Sequence, residues 1–232
     1  MEYQNIRRGV FLSRENRFSA TVEIDGKREA VHVKNTGRLG ELLLPGAGVY
    51  VQESGNLGRK TRWDLISVEH GGGLVNIDSQ APNRVFGQWI RAGKFLPGAN
   101  LIKPEYTLGS SRFDFYLERE EEKHLVEVKG VTLAEGDTAL FPDAPTLRGE
   151  RHVRELTELA RRGYHAHVVF VIQRTGPVYF SPNRRTQPTF ADALLQAREG
   201  GVEILALDCA VTECTLTIQK EIPVILPKEG KV

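Results

Sequence analysis

A carboxylate in one apolar segment and a Glu-x-Lys pair in the next supply the reactive groups of a metal-dependent hydrolase. Asp114 lies within Arg112–Glu118, and Glu127 and Lys129 lie within His124–Lys129. Two carboxylates can hold Mg²⁺, a hard cation that prefers oxygen ligands. Such a cation polarises a phosphate and lowers the pKa of a bound water, which the lysine can help to position. The expected chemistry is hydrolysis of a phosphodiester with Mg²⁺ or Mn²⁺ as the cofactor.

A β-hairpin would bring these groups together. If its turn lies at Glu120-Glu121, Glu118 pairs with Lys123 and Asp114 pairs with Glu127. Directly paired residues have Cβ atoms about 4.5–5.5 Å apart, and side chains alternate along a strand, so Glu127 shares a face with the lysine two residues on. An amphipathic hairpin with an ordinary solvent-exposed face has the same spacing, so spacing alone leaves both interpretations open.

The neighbours of the first carboxylate favour the metal interpretation. Asp114 stands among Phe113, Phe115 and Tyr116, an apolar setting for a charge. A charged side chain in such a setting is usually paired or bound to a metal. We therefore expect a metal site formed by Asp114 and Glu127, with Lys129 as the third catalytic residue.

The elements that position these residues follow from the hydrophobic pattern. Residues 1–80 contain short strand-like segments broken by glycine and asparagine, including Phe18–Ile24 and Leu42–Leu44, which predicts a small barrel or sandwich. From residue 81 onward, Asn83 is predicted to cap a helix that ends at Gly93. Three strands follow, then a helix capped by Thr146, a buried strand, a third helix and two final strands. The predicted fold class is α+β, with a boundary near residue 80.

Composition limits the possible partners. The chain has 232 residues, of which 26% are charged, but its net charge is only +1. Any positive surface for nucleic acid must therefore be local. The sequence shows neither the apolar run of a signal peptide nor a membrane-spanning segment, so a cytoplasmic location without a membrane partner is expected. Cys209 and Cys214 are too few for a disulfide scaffold.

Several basic side chains are candidates for contacts with phosphates. In the first 80 residues, Gly58–Arg62 is the densest basic run, although most such runs are solvated loops. Arg148 and His152 lie one helical turn apart and can face the same site. His165 and His167 share one face of a strand, but no further zinc ligands are apparent in the sequence. The candidate DNA-binding residues are Arg38, Arg59, Lys60, Arg62, Arg148 and His152.

Longer strings resemble two known groups of proteins. An Asp followed by Glu-x-Lys on the next strand, between two helices, resembles the PD-(D/E)XK nuclease fold. The strings at 109–115, 126–133 and 141–152, with those at 32–39 and 169–174, resemble the sugar fermentation stimulation protein A family over nearly the whole chain.

This resemblance implies an OB-like β-barrel domain at 1–80 and a PD-(D/E)XK-like αβββαβ domain at 81–232, whose mixed sheet is flanked by helices. The family is described as DNA-binding and linked to sugar (maltose) utilisation, and its nuclease-like residues carry onto Asp114, Glu127 and Lys129. The expected partner is DNA, held mainly through phosphates with little sequence preference. The alternatives are a Mg²⁺-dependent nuclease and, less favoured, an enzyme for a small phosphorylated ligand. Oligomeric state is left open, a homodimer included.

Overall fold

A computed structural model describes residues 1–55, 58–109 and 111–226. Ser110, which belongs to the string at 109–115, lies outside the described residues. The chain divides into two compact units, and the first unit also includes two short segments from late in the sequence. The first unit comprises Met1–Ala81, Gln173–Thr175 and Cys209–Thr217, and the second comprises Pro82–Ile172, Gly176–Asp208 and the residues from Ile218 on.

The first unit is built on a closed five-stranded barrel. Its strands are β1 (Ile6–Asn16), β2 (Ser19–Ile24), β3 (Lys27–Val33), β4 (Gly48–Glu53) and β5 (Trp63–His70), and β6 (Gly73–Asn76) extends the sheet beside β5. Strand β1 pairs with β2 and β4, β2 pairs with β3, and β4 pairs with β5. A parallel pairing of β3 with β5 closes the ring. This order confirms the predicted OB-like barrel.

The strand pattern in the barrel follows the alternation of its residues. Along β2, Ala20, Val22 and Ile24 are buried in the barrel core. The turn at Asp25 and Gly26 has φ angles of 50° and 74°. Two consecutive positive φ angles are typical of the tightest hairpin turns, which Asp-Gly favours. The dipeptide Asp25-Gly26 between two alternating strands therefore accounts for this hairpin.

The predicted strand at Leu42–Leu44 was wrong. The backbone N–H groups of Leu42 and Leu43 both donate to the carbonyl of Leu39, which makes a helical turn rather than an extended strand. Both leucines are buried in the barrel core. An apolar triplet does not distinguish a strand from a loop that fills a core, because both are buried.

The second unit is a mixed sheet with helices, as predicted. Its six-stranded sheet has the order β15-β14-β12-β9-β8-β7. Strand β12 is parallel to β9 and β14, whereas β7, β8 and β9 are antiparallel neighbours. The elements are α1 (Ala81–Arg91), β7 (Leu101–Leu108), β8 (Ser111–Arg119), β9 (Glu122–Val131), β10 (Ala134–Glu135), β11 (Thr138–Phe141), α2 (Leu147–Arg161), β12 (His165–Ile172), β13 (Tyr179–Pro182), α3 (Pro188–Glu199), β14 (Glu203–Val211) and β15 (Leu216–Ile222).

The core of the second unit fixes α2 beside the sheet. Val153 and Leu156 of α2, Leu194 of α3 and Phe170 of β12 are buried in one apolar cluster. Short strands β10, β11 and β13 form a separate three-stranded sheet. Among the described helices, none is both long and apolar enough to cross a membrane.

Asn83 does not cap the first helix of this unit. Helix α1 begins at Ala81, whose N–H donates to the carbonyl of Asp78, and the N–H of Gln80 donates to the Asp78 carboxylate. The capping carboxylate therefore precedes the predicted cap by five residues in sequence. Because Asn83 lies inside the first turn, its side chain is available for another partner.

Candidate metal centre

The hairpin of β8 and β9 has the predicted register. Glu118 pairs with Lys123, and the ladder runs on to the pair of Phe115 and Val126. The next positions along the two strands are Asp114 and Glu127. There the Val128 N–H donates to Oδ2 of Asp114 over 2.7 Å, so a side-chain carboxylate accepts the bond from the strand backbone. This bond fixes the Asp114 carboxylate beside β9.

Asp114 has a second partner from α1. The Asn83 amide donates to Oδ1 of Asp114 over 2.5 Å. Burial and then the negative charge of Glu127 raise the pKa of Asp114, and the bonds from Val128 and Asn83 offset this only in part. The hairpin register puts Asp114 opposite Glu127, so the two carboxylates lie close enough for their charges to interact. Sequence reasoning missed Asn83, since a helix-capping residue and a ligand-orienting residue look alike in sequence.

The two oxygens of Glu127 differ sharply in environment. Oε1 accepts from Lys129 Nζ and from His152 Nδ1, each over 2.5 Å. Within the described part of the chain, Oε2 is buried and has no hydrogen-bond partner. Burial acts to raise the pKa of Glu127, but the bond from His152 and the charge of Lys129 outweigh it and lower that pKa. The residue is therefore an ionised, buried carboxylate with one bare oxygen.

Helix α2 supplies His152 from its first turns. The helix begins as predicted, because the Thr146 hydroxyl accepts from the Gly149 N–H over 3.1 Å. The Nε of Arg148, in the first turn of the helix, donates over 3.5 Å to Nε2 of His152, which lies one turn further along. A guanidinium can only donate, so Nε2 of His152 accepts this bond and the Nδ1–H of His152 donates to Glu127. His152 is thus a buried partner of Glu127, while Arg148 is exposed.

The four basic candidates of the first unit differ in exposure and in whether they already have an ion-pair partner. Arg59 donates to both oxygens of Asp64 over 2.7 and 3.2 Å, so its charge is already balanced inside the unit. Arg62 is paired with Glu53 over 2.8 Å and its guanidinium lies over the Trp63 ring. Arg38 and Lys60 are exposed. To contact a phosphate, Arg59 would have to release two hydrogen bonds to Asp64.

The candidate metal centre is a pair of adjacent carboxylates, with the ammonium group of Lys129 bonded to one of them. No group of three or more His, Cys, Asp or Glu residues that could hold a metal occurs in residues 1–55, 58–109 and 111–226. A cation held by Asp114 and Glu127 would therefore complete its shell with water, backbone carbonyls or phosphate oxygens. Mg²⁺ commonly binds in this way, with one or two protein carboxylates and several waters.

Comparisons with known proteins cover both units. Residues 80–215 match the model described as the sugar fermentation stimulation protein RE domain, and residues 12–77 match the SfsA N-terminal OB domain. A sugar fermentation stimulation protein homolog from Desulfitobacterium hafniense is 57% identical over 92% of this chain and 93% of its own length. Another, from Ruminiclostridium cellulolyticum, is 52% identical over 97% of this chain and its own full length.

One solved structure is also similar over the whole chain. It is Pyrococcus furiosus SfsA, described as being in complex with Ca²⁺. The sequences are 34% identical, the TM-score is 0.88, and the match covers 97% of this chain and 98% of that one. The fold described above is therefore shared with that protein.

Asp114→Asn should stabilise the cation-free protein, and the gain should depend on pH. The folded-state pKa of Asp114 is raised, so its ionisation opposes folding. That penalty is absent below the ordinary Asp pKa of about 3.9 and complete above the raised folded value. Urea unfolding in EDTA should therefore show a higher free energy of unfolding for the variant at pH 8 and no difference near pH 3. Asp137→Asn, at an exposed position of the same unit, is the control. An equal gain at both pH values would contradict the assigned cause.

Proposed function

The chain belongs to the sugar fermentation stimulation protein family, and from that premise we propose that it is a DNA-binding protein that holds the phosphodiester backbone at a divalent-cation site formed by Asp114 and Glu127. The observation that carries this proposal is the bare, buried Oε2 of Glu127 beside a second carboxylate. The domains at 1–80 and 81–232 are proposed to act together on this partner.

The energetics of the two carboxylates support a cation between them. A buried carboxylate oxygen without a partner loses its hydration and gains nothing in return, which costs on the order of 1–3 kcal/mol. The repulsion between Asp114 and Glu127 adds to that cost and raises the pKa of Asp114. A divalent cation would remove both penalties at once. In its absence, a proton on Asp114 removes only the repulsion.

The choice of cation follows from the donors. Carboxylate oxygens favour hard cations such as Mg²⁺ and Mn²⁺ over ions that prefer sulfur. The solved Pyrococcus furiosus relative was described with Ca²⁺, which is another hard cation with oxygen ligands. Mg²⁺ or Mn²⁺, when bound, would supply positive charge for a phosphate oxygen and acidify a coordinated water.

Two cationic side chains are proposed to help hold the phosphate. Lys129 lies beside Glu127 with about 15% of its side chain exposed, and Arg148 is exposed one turn before His152. His152 holds Glu127 in place rather than contacting DNA itself. In the first unit, Arg38, Lys60 and Arg62 are the proposed phosphate contacts, and Arg59 would join them only by releasing Asp64. Contacts with phosphates depend little on the base sequence of the DNA.

A role in regulating sugar (maltose) utilisation is proposed to act through this DNA contact. Contacts with phosphates position a protein on DNA without selecting a sequence. Selectivity for particular genes would then come from DNA shape or from another protein.

Hydrolysis of the phosphodiester is the second candidate function, and the position of Lys129 favours it. Its ammonium group lies 2.5 Å from Glu127 Oε1, close to the oxygen proposed to face the cation. From there Lys129 can orient a water for attack and balance the charge that develops on the phosphate. His152 shares the same Glu127 oxygen and so keeps the carboxylate from rotating away.

Calorimetry with Mn²⁺ and Mg²⁺ tests the cation site without assuming a substrate. The wild-type chain should bind one cation, and Asp114→Asn should weaken binding by at least about tenfold. Because the raised pKa of Asp114 favours its proton, cation binding should release protons wherever Asp114 of the cation-free protein is still partly protonated, and the heat should then vary with the ionisation enthalpy of the buffer. Asp137→Asn should bind like the wild type. Equal cation affinity in all three proteins would contradict a cation site formed by Asp114.

Binding to short DNA duplexes at several salt concentrations tests the phosphate contacts. Affinity should fall steeply with salt and should differ little between unrelated sequences. Arg148→Ala should weaken binding to every sequence and reduce the salt slope by about one. Arg162→Ala, which changes the same residue type just beyond the far end of α2, is the matched control. Sequence-selective binding that ignores salt would reject contact mainly through phosphates.

Cleavage of plasmid DNA separates the two candidate functions. If the protein hydrolyses DNA, Mg²⁺ or Mn²⁺ should support nicking, and Asp114→Ala, Glu127→Ala and Lys129→Ala should each abolish it. Lys123→Ala, at the turn end of the same hairpin, should nick like the wild type. An unchanged rate in the Lys129 variant removes that residue from the mechanism. DNA binding with no nicking in any protein leaves the binding function alone.

A further inference from the structure

The loop that leads into α2 ends in an exposed apolar tip, which consists of Pro145 and Leu147. Pro145 is exposed, and Leu147 is the first residue of the helix. Leu147 is 80% exposed, and no other large apolar side chain among the described residues is as exposed. Single exposed leucines are common on protein surfaces. This one is distinguished by how the tip is held and by what lies beside it.

Buried amides anchor the backbone on both sides of the apolar tip. On one side, the Asn183 N–H donates to the carbonyl of Phe141 over 2.8 Å, and its side-chain amide donates to the carbonyl of Pro142 over 3.1 Å. On the other side, the Thr146 N–H donates to Oε1 of Gln187 over 2.7 Å. Asn183 and Gln187 are both buried. The loop is therefore held in place, and its apolar side chains remain in solvent.

Two guanidinium groups flank the apolar tip. Arg148 follows Leu147 directly and is exposed. Arg151 lies four residues after Leu147, so it shares a face of α2 with it. The side chain of Arg151 is 66% exposed, and its ion pair with Glu155 is long, at 3.7 Å. A partner that covers Leu147 would meet both positive charges, so that partner should be anionic and should also offer an apolar surface.

The apolar tip lies close to the candidate metal centre. Arg148 donates to His152 over 3.5 Å, and His152 donates to Glu127 over 2.5 Å. Leu147 precedes His152 by five residues, which is about 7.5 Å along the axis of α2. Successive nucleotides of one DNA strand are about 3.4 Å apart along the duplex. A strand with a phosphate at the cation would therefore bring bases about two nucleotides away to the level of the tip.

We propose that Leu147, with Pro145 beside it, is an apolar wedge that enters DNA between two neighbouring bases near the cation site. The preferred substrate is then DNA whose bases are already unstacked or are easily unstacked. This inference rests on the proposed function, because it takes the DNA contact as given and specifies the kind of DNA. Leucine and proline are among the residues that enter between base steps and kink a duplex.

The size of the apolar tip favours a base step over a protein surface as its partner. A stable protein interface buries about 800 Å² on each side, whereas the tip offers two side chains. An opened base step has room for one apolar side chain and is bordered by phosphates, which suit Arg148 and Arg151. Opening the step costs stacking energy, and this cost is least where a base is mismatched or unpaired. Binding should therefore be tighter at such defects.

Two short duplexes test the wedge, one fully paired and one with a single unpaired nucleotide next to a 2-aminopurine base. The fluorescence of 2-aminopurine increases when the base loses its stacking neighbours. Ca²⁺ is supplied as a hard cation for the carboxylates. The wild-type chain should bind the duplex with the unpaired nucleotide at least about fivefold more tightly than the paired one. Binding should also increase the fluorescence of the 2-aminopurine.

Leu147→Ala removes the wedge without changing a charge, and the exposed position makes the substitution compatible with folding. The variant should bind the two duplexes with affinities within about twofold of each other and without the increase in fluorescence. Its salt dependence and its affinity for Mn²⁺ should match those of the wild type. Leu44→Ala makes the same change at a 53% exposed leucine of the first unit and is the matched control. It should keep both the preference and the fluorescence increase.

The outcomes distinguish a failure of the wedge from a failure of the proposed function. If the wild type binds DNA without preference and without an increase in fluorescence, the wedge is wrong and the DNA-binding function stands. The same conclusion follows if Leu147→Ala retains both effects. If the wild type binds neither duplex, the proposed function fails and the wedge fails with it.

Discussion

Two negative charges that the fold buries side by side govern the second unit. Asp114 and Glu127 occupy neighbouring positions on β8 and β9, and burial together with mutual repulsion raises the pKa of Asp114. A protein maintains such a pair only if something positive compensates for it, because an unpaired buried charge is costly. The surrounding elements can be understood as supports for that pair. Helix α1 presents Asn83 to one carboxylate, and α2 presents His152 to the other.

Around Glu127, the neighbouring side chains offset the negative charge at only one of its two oxygens. Lys129 and His152 both donate to Oε1 of Glu127, which lowers its pKa and keeps it ionised. Oε2 receives nothing from the described residues. A centre that served stability alone would be better balanced if both oxygens had partners. The asymmetry leaves negative charge facing the position where a cation would bind, and this feature links the fold to its proposed chemistry.

Strand β9 carries ionisable side chains at both of its ends, in different surroundings. Near its C-terminal end, Glu127 lies beside Asp114, and one oxygen of Glu127 lacks a hydrogen-bond partner among the described residues. At its N-terminal end, His124 contacts His167, which in turn contacts Glu203. The nitrogens that join the two imidazoles therefore have partners, whereas the carboxylate pair leaves one oxygen for the proposed cation.

Local spacing in the sequence was enough to determine the hairpin, its register and the Thr146 cap, because each depends on residues close together in the chain. It also placed Asp114, Glu127 and Lys129 together, and the family strings predicted the OB-like barrel and the mixed sheet. Tertiary structure alone decided that Asn83 orients Asp114 and that His152 is buried against Glu127. The same holds for the parallel closure of β3 on β5 and for the partnership of His124 with His167 and Glu203. These contacts join elements distant in sequence, and no local pattern records which faces meet when helices and strands pack.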